Sequence, residues 1–176
     1  MIQLEQTEIR TAAVSDTPIV AHIVNEAWKT AYAGIVPQSV LDSLSDDKKA
    51  AQLRVGLERY PNMQYFLFEA DGVPLGASCL HPAREDDLEG AAEFSFFYFL
   101  PQVWRHGYGT VLLRYLTQEA VKQGYRRMCC WVLEDNDRAI AFYESQGMLR
   151  DGKRQTVTIG KDLIAVRCVM DLPSKE

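Results

Sequence analysis

Two glycines separated by one residue, Gly107 and Gly109, stand before an amphipathic segment in the stretch FYFLPQVWRHGYGTVLLRYL. Glycine lets the backbone approach a phosphate closely, and the first turn of a helix carries the positive end of a dipole of about half an elementary charge. The pattern predicts a site where a pyrophosphate binds backbone amides, although the same glycines also suit a plain tight turn. No Gly-Lys-Ser/Thr follows, and Leu112 occupies the last glycine position of the dinucleotide fingerprint, so ATP and NAD are poorly matched.

The thiol and imidazole side chains show no spacing typical of a metal site or a redox pair. There is no C-x-x-C pair, and neighbouring cysteines at 129 and 130 would point to opposite sides of a strand. Because an apolar strand disfavours a thiolate, we expect reduced core thiols and no covalent acyl-cysteine route. The histidines are scattered as well, so no metal is predicted. The residues concerned are Cys79, Cys129, Cys130, Cys168, His22, His81 and His106.

The bulk properties are those of an ordinary globular protein. The chain of 176 residues suits one domain over residues 1–176, and 47% hydrophobic with 24% charged residues is enough for a packed core. The net charge of −5 comes without a basic stripe, so no nucleic-acid partner is predicted. The start, MIQLEQTEIR, does not resemble a secretion signal, and no run approaches the roughly 18 apolar residues of a membrane span. We therefore expect a cytoplasmic location and no membrane partner.

The first half of the chain predicts helices followed by a hairpin. After a strand over Glu8–Ala12, a helix capped by Ser15 carries apolar residues three and four positions apart. Two shorter helices follow, over 37–44 and after a cap at Ser45. The stretch QYFLFEADGVPLGASCL contains two apolar runs joined by Asp71 and Gly72, a pair typical of a tight hairpin turn. The charged tract HPAREDDLEG is predicted to be a solvent-exposed loop.

The second half predicts a βαβ unit, one more helix and a final hairpin. Residues 91–100, AAEFSFFYFL, are so apolar that we expect one strand covered on both faces. A helix over 107–123 and a strand over Met128–Leu133 complete the unit, whose strands should be parallel. The last helix runs from about 136 to 146, capped by Asp135 or Asn136. Together these elements predict one α+β domain with a mixed sheet.

Two motifs resemble those of the GNAT superfamily of N-acyltransferases. WRHGYG, residues 104–109, matches the phosphate-binding pattern Q/R-x-x-G-x-G/A at the helix after the fourth strand, with Trp104 in place of the usual Gln or Arg. WVLEDNDRAIAFYESQGM resembles the family's fifth strand and following helix, V-x-x-x-N-x-x-A-x-x-F-Y-x-x-x-G-F, with Met148 in place of Phe. The matching residues are Val132, Asn136, Ala139, Phe142, Tyr143 and Gly147. The stretch AWKTAYAGIVP also resembles members of the family, so the likeness covers nearly the whole chain.

The resemblance implies a GNAT-like domain: a mixed, mostly antiparallel sheet of six to seven strands, splayed at a central parallel pair and flanked by about four helices. It also implies acetyl-CoA as the donor substrate, with its pantetheine arm between the strand ending at Leu100 and the strand Met128–Leu133. Backbone groups over 97–100 would pair with the pantetheine amides, and an N–H there could stabilise an oxyanion. The residues implied in acetyl-CoA binding are Phe99, Leu100, Trp104, Arg105, His106, Gly107, Tyr108, Gly109, Thr110, Asn136 and Tyr143.

The resemblance further implies an acid and a base for transfer to an amine. An alkylammonium with a pKa of about 10.4 is deprotonated in only roughly one molecule in two thousand at pH 7, so a base or a water relay is needed. Glu93 is the candidate, because it begins the central strand and strand alternation predicts that it shares a face with Ser95, Phe97 and Phe99. Tyr143 occupies the family's position for the acid that protonates the departing sulfur. Each side chain also has a structural alternative, a strand-end carboxylate and a packing tyrosine.

On the acceptor side, the resemblance assigns Trp28 and Tyr32 to the wall of a pocket for the amine, although core packing explains the same residues. The acceptor is predicted to be a primary amine of a small molecule or peptide, and the sequence does not choose among them. The alternative function is a non-catalytic acyl-CoA-binding or sensing module that regulates a partner. The oligomeric state stays open, with a homodimer as the commonest assembly in general.

Overall fold

A computed structural model describes residues 6–174. Its strands are β1 (Thr7–Thr11), β2 (Gln64–Ala70), β3 (Val73–Pro82), β4 (Ala91–Glu93), β5 (Phe97–Phe99), β6 (Arg127–Leu133), β7 (Leu149–Thr158) and β8 (Asp162–Asp171). They form one sheet in the order β1-β2-β3-β4-β6-β8-β7, with β5 paired to β3 beside β4. All neighbouring strands are antiparallel except β4 and β6, which are parallel. The predicted mixed sheet is confirmed, and within the described residues it has eight strands rather than six or seven.

Five α-helices lie over residues 6–174, one more than predicted: α1 (Thr17–Ala31), α2 (Gln38–Asp42), α3 (Asp46–Arg59), α4 (Tyr108–Lys122) and α5 (Asp137–Ser145). The predicted caps at Ser45 and Asn136 are confirmed, because their side chains accept the N–H groups of Lys48 and Ala139. The cap predicted at Ser15 is wrong. Ser15 lies inside a short 3₁₀ turn, and α1 is instead preceded by Asp16, whose carboxylate accepts the Ala13 N–H at 2.8 Å. None of these helices combines the length and hydrophobicity needed to cross a bilayer.

The helices cover both faces of the sheet. On one face α1 packs against α3 and against β3 and β5, with Ile23 and Val24 of α1 meeting Leu67 and Cys79 of the sheet. On the other face α4 and α5 bury a second cluster that includes Phe66, Leu80, Met128 and several helical side chains, among them Leu116 and Ile140. We call these the α1 face and the α4 face. A sheet covered on both sides explains why its central strands are apolar without alternation.

The stretch 91–100 is two strands rather than the single strand predicted. His81 pairs with Glu93 and Ser78 pairs with Phe97, so β3 has two residues between these pairings where the opposite segment has three. One extra residue in a strand is a β-bulge, which reverses the side-chain alternation beyond it. Glu93 therefore does not share a face with Phe97 and Phe99, which contact Phe142 and Tyr108 on the α4 face. The bulge cannot be recognised from a run of uniformly apolar residues.

The bulge also opens the sheet. β6 pairs with β4 only over Arg127–Cys129, whereas its remaining residues pair only with β8 among the described strands. β5, which continues from β4, pairs with β3. A gap is thus left between β5 and the second half of β6, where the sequence predicted that the sheet splays.

Candidate active site

A cavity of about 460 Å³ occupies the gap between β5 and β6 and reaches both faces of the sheet. Its walls include Tyr32 directly after α1, Gly107 and Thr110 at the start of α4, and Tyr143 from α5. The cavity therefore connects the predicted phosphate-binding turn with side chains from the α1 face. Two ligands that approach from opposite faces could meet inside it.

The start of α4 has the geometry of an anion-binding turn. Gly107 precedes the helix in the left-handed region with φ of 82°, and as a glycine it has no side chain with which to cap the first turn. A Cβ at Gly109 would lie 3.1 Å from the Phe142 ring, so only glycine fits there without displacing that ring. Arg105 is also left-handed, at φ of 68°, a conformation that few non-glycine residues adopt. The turn lines the cavity through Gly107, Gly109 and Thr110, and a glycine-containing turn at a helix start is a common site for an anion.

Trp104, the departure from the family pattern, is held by two contacts. Its indole N–H donates to the Phe99 carbonyl at 2.9 Å, and the Arg138 guanidinium stacks on its ring at 3.4 Å. Burial lowers the pKa of Arg138, and the nearby Arg105 guanidinium lowers it further. Two guanidinium groups close together beside the start of a helix favour binding of an anion. Arg105 and Arg138 are therefore suited to bind the phosphates of a coenzyme A molecule.

Tyr143 lies on α5 with its ring packed among aromatic side chains of the α4 face. The ring centroids of Phe94 and Phe97 are 5.7 and 6.2 Å away, and the residue is 8% exposed while still lining the cavity. Burial raises the pKa of Tyr143 well above its ordinary value, so the phenol stays protonated near neutral pH. A protonated phenol beside the cavity is able to donate a proton to a leaving group.

Asn136 both caps α5 and lines the cavity. Its Oδ1 accepts the Ala139 N–H at 3.3 Å, so the alternative of helix capping is observed. Phe99, Tyr108 and Thr110 line the cavity as well. Leu100 and His106 do not appear in its wall. The Leu100 N–H is donated to the Leu75 carbonyl at 2.9 Å, while the His106 ring stacks on Tyr108.

The α1 face contributes an aromatic wall. The hydroxyl groups of Tyr32 and Tyr98 lie 2.7 Å apart, and both residues line the cavity together with Trp131. Trp28 lies behind this wall, edge-on to Tyr32 with ring centroids 4.8 Å apart. The structure thus brings Tyr32 to the cavity and leaves Trp28 as its support.

A buried arginine fixes the loop that leads to this wall. Arg167 of β8 is 2% exposed, and its Nη1 and Nη2 each donate to an oxygen of Asp87 at 2.8 Å. Its Nε donates to Asp151 at 2.8 Å, and its guanidinium lies 5.8 Å from the Trp131 ring centroid. The loop containing Asp87 is therefore tied to β8, on which Arg167 is the cross-strand partner of Trp131.

Glu93 lies outside the cavity wall. It is 5% exposed, and its Oε2 accepts the backbone N–H of Arg84 at 3.4 Å.

Three residues of the site, Tyr98, Trp131 and Arg138, were not predicted from the sequence. Strand alternation along β5 could have placed Tyr98 on the face of Tyr32 only if the bulge had been known. The position of Arg138 beside Trp104 depends on how α5 packs against the loop before α4.

The four cysteines are buried and unpaired by disulfides. Burial raises the pKa of Cys129 to about 12, which disfavours the thiolate that covalent acyl transfer requires. No cluster of three or more metal-ligating side chains is found over residues 6–174.

Comparison with known proteins gives a family match and several related folds. Residues 22–148 match the model of the acetyltransferase (GNAT) family. An uncharacterized N-acetyltransferase of Bacillus subtilis, YuaI, is 26% identical over 141 residues, which cover 78% of this chain and 77% of that protein. The PaiA N-acetyltransferase from Thermoplasma acidophilum in complex with coenzyme A has a TM-score of 0.71 and 22% identity, covering 92% of this chain and 98% of its own. YncA from Salmonella typhimurium, solved with its cofactor acetyl-CoA, has a TM-score of 0.71 and 20% identity, covering 97% of this chain and 96% of its own.

Proposed function

Because this chain belongs to the acetyltransferase (GNAT) family, we propose that it transfers an acetyl group from acetyl-CoA to a primary amine of a small molecule or peptide. The sequence-based prediction of an acetyl-CoA-dependent N-acetyltransferase is confirmed at the level of the family. The acceptor and the roles of individual residues belong to the proposal. Its mechanism is direct attack while both substrates are bound.

One observation carries the proposal: the cavity between β5 and β6 is lined from both faces of the sheet. The turn at Gly107 and the Arg105 and Arg138 side chains lie on the α4 face, where they fit the phosphates of the donor. Tyr32, Tyr98 and Trp131 lie on the α1 face, where an amine would enter. Holding two reactants in one enclosed site replaces a bimolecular encounter, an effect that can be worth about 7 to 11 kcal/mol.

Acetyl-CoA supplies an acyl group activated as a thioester. The backbone amides at the start of α4 would hold its pyrophosphate, and Trp104 would keep Arg138 in place beside them. Edge groups of β5 and β6 that face the gap would pair with its pantetheine amides. These assignments extend the predicted binding residues to Arg138.

We assign to Tyr143 the proton that the departing sulfur takes up. An alkylammonium acceptor loses two protons as its nitrogen forms the amide bond, the departing sulfur takes up one, and the other reaches solvent. The Tyr143 phenol would deliver the proton to the sulfur as the carbon–sulfur bond breaks, because it lines the cavity and is protonated. The predicted base, Glu93, is not in the cavity wall, so a proton would reach it only through another group.

A thiol-release assay tests the proposal directly. The protein would be incubated with acetyl-CoA and a library of alkylamines, amino acids, polyamines and peptides, with free CoA measured over time. Release that depends on one class of amine, with the acetylated product found by mass spectrometry, is the expected result. Tight acetyl-CoA binding without release for any acceptor would instead support a non-catalytic binding module.

A further inference from the structure

The β-bulge after β4 turns Ser95 toward the cavity while keeping it beside β3. Ser95 is exposed and lines the cavity, and its Oγ is hydrogen-bonded to Nε2 of His81. His81 is 4% exposed and lies on the same β3 segment that pairs with Glu93. A buried imidazole thus reaches the cavity through a single hydroxyl group.

The hydrogen bonds define which nitrogen of His81 is the acceptor. Nδ1 lies 2.8 Å from the Pro82 carbonyl oxygen, which can only accept, so Nδ1 carries the proton of the neutral ring. Nε2 is then unprotonated and accepts the Ser95 hydroxyl hydrogen. The same Ser95 oxygen accepts a hydrogen from Nη2 of Arg84 at 3.1 Å, and the Ser95 N–H donates to the Cys79 sulfur at 3.1 Å.

Burial favours the neutral ring of His81, and the two charged groups near it act in opposite directions. Burial lowers the pKa of His81, and the Arg84 guanidinium lowers it too, whereas the Pro82 carbonyl and the Glu93 carboxylate act in the opposite direction. Nη2 of Arg84 lies 3.3 Å from Nε2. The thiol of Cys79, whose pKa burial raises, contacts Ser95 as well. A neutral imidazole whose Nε2 carries no proton is a base that can accept one.

We propose that Ser95 and His81 form a proton relay that removes the proton from the acceptor ammonium. This inference rests on the proposed acetyl transfer. The ammonium N–H bond breaks as Ser95 Oγ accepts that proton, and the original Ser95 hydroxyl proton passes to Nε2 of His81. Ser95 is left as a neutral hydroxyl, His81 becomes an imidazolium, and the amine is left neutral with its lone pair free to attack. Ser95 touches the substrate, whereas His81 acts through it.

The relay gives Glu93 a different task from the one predicted from sequence. As the cross-strand partner of His81, its carboxylate favours the imidazolium that forms when the proton arrives. It needs no direct contact with the amine. The Arg84 guanidinium opposes that charge, so the imidazolium loses its proton readily once the acceptor has reacted.

The test compares variants on two acceptors of similar size, the best alkylamine found by thiol release and its aminooxy analogue, which is already neutral at the assay pH. For the alkylamine, Ser95→Ala and His81→Gln should each lower kcat/KM by about 100-fold, within the range of general base catalysis. For the aminooxy compound they should have little effect, because no proton must be removed before attack. Ser78→Ala is the matched control, since Ser78 is buried on β3 and its hydroxyl donates to the Phe96 carbonyl.

The pH profile supplies a second readout. In the wild type, kcat/KM for the alkylamine should fall as pH drops through the lowered pKa of His81, because the protonated ring accepts no proton. Arg84→Gln should shift this fall to higher pH, and NMR titration of the His81 ring in the free protein should show the same shift. His81→Gln should abolish it.

The outcomes separate the two proposals. Equal losses for both acceptors, or unchanged kinetics in Ser95→Ala and His81→Gln, would overturn the relay while wild-type CoA release upholds the acetyl transfer. No CoA release by the wild type with any amine would overturn the proposed function, and the relay with it. Acetyl-CoA affinity measured for each variant shows whether the donor site is intact.

Discussion

The guanidinium carbon of Arg138 lies 3.4 Å from the centre of the Trp104 ring. The contact joins α5 to the turn before α4, and the Trp104 N–H continues it to the Phe99 carbonyl on β5. One indole therefore links three elements of the donor side. This accounts for a tryptophan at a position where the family pattern has a glutamine or an arginine.

We predict that Trp104→Ala weakens acetyl-CoA binding by about tenfold, measured by isothermal titration calorimetry. The substitution removes a cation–π contact of about 0.5 to 2 kcal/mol, which positions Arg138, and one hydrogen bond of about 1 kcal/mol, which positions β5. Trp104→Phe, which keeps a ring under Arg138 but loses the hydrogen bond, should have a smaller effect. Unchanged affinity in Trp104→Ala would show that the phosphates bind without Arg138 being held in this position.

Substitutions of the two glycines should distinguish the effect of a positive φ, at Gly107, from the effect of steric crowding, at Gly109. Gly107→Ala is expected to destabilise the fold by about 1 to 2 kcal/mol in urea unfolding, since its φ of 82° is left-handed although nothing crowds the site. Gly107→Asn should lose less, because asparagine tolerates this region better. In Gly109→Ala the new methyl group meets the Phe142 ring, so we expect weaker acetyl-CoA binding through displacement of that ring. Equal stability of Gly107→Ala and the wild type would mean that the turn relaxes elsewhere.

Tyr143→Phe should lower kcat by about 100-fold while leaving acetyl-CoA affinity nearly unchanged, as the loss of a general acid predicts. Because burial raises the pKa of this phenol, the wild-type rate should show no loss from its ionisation up to about pH 10. Tyr115→Phe on α4, away from the cavity, is the matched control for removal of a tyrosine hydroxyl. A variant that keeps full turnover would assign Tyr143 to packing alone.

The Asp87–Arg167 pair should make stability sensitive to acid. The Arg167 guanidinium holds the pKa of Asp87 well below its ordinary value. The stabilisation is therefore fully present above about pH 4 and is lost as pH falls below that toward the lowered pKa. Asp87→Asn should lower the melting temperature near pH 6, and the difference from the wild type should shrink toward pH 2. Asp86→Asn, one residue earlier in the same loop, is the control for the loss of a carboxylate that has no hydrogen bond to Arg167 among the contacts described. A pH-independent difference would assign the effect to packing.

Much of the fold could be predicted because its signals are local. The hairpin at Asp71 and Gly72, the cap at Ser45 and the helix after Gly107 each depend on residues a few positions apart. The parallel pairing of β4 with β6 followed from the βαβ order of the elements. The helix cap predicted at Ser15 was wrong because Ser15 lies inside the 3₁₀ turn Val14–Asp16 that precedes α1, where the Asp16 carboxylate bonds to Arg10 and to the Ala13 N–H.

The candidate site was harder to predict where a long-range pairing decides the orientation of a side chain. The bulge between Glu93 and Phe97 arises from the register with β3, and no pattern within residues 91–100 reveals it. With the bulge, Ser95 lies in the cavity wall and Glu93 lies outside it. Alternation alone had predicted that Glu93 shares a face with Phe97 and Phe99. His81 was missed for the same reason, since its contact with Ser95 joins residues 14 positions apart.

The gap between β5 and β6 places two incompletely paired strand edges in the middle of the molecule instead of at its rim. Exposed edges are where sheets recruit other chains and aggregate. Here helices cover the sheet on both faces, and the space between the two edges is the cavity of about 460 Å³. Backbone groups at such internal edges are less accessible to a strand of another chain than those at the rim of a sheet.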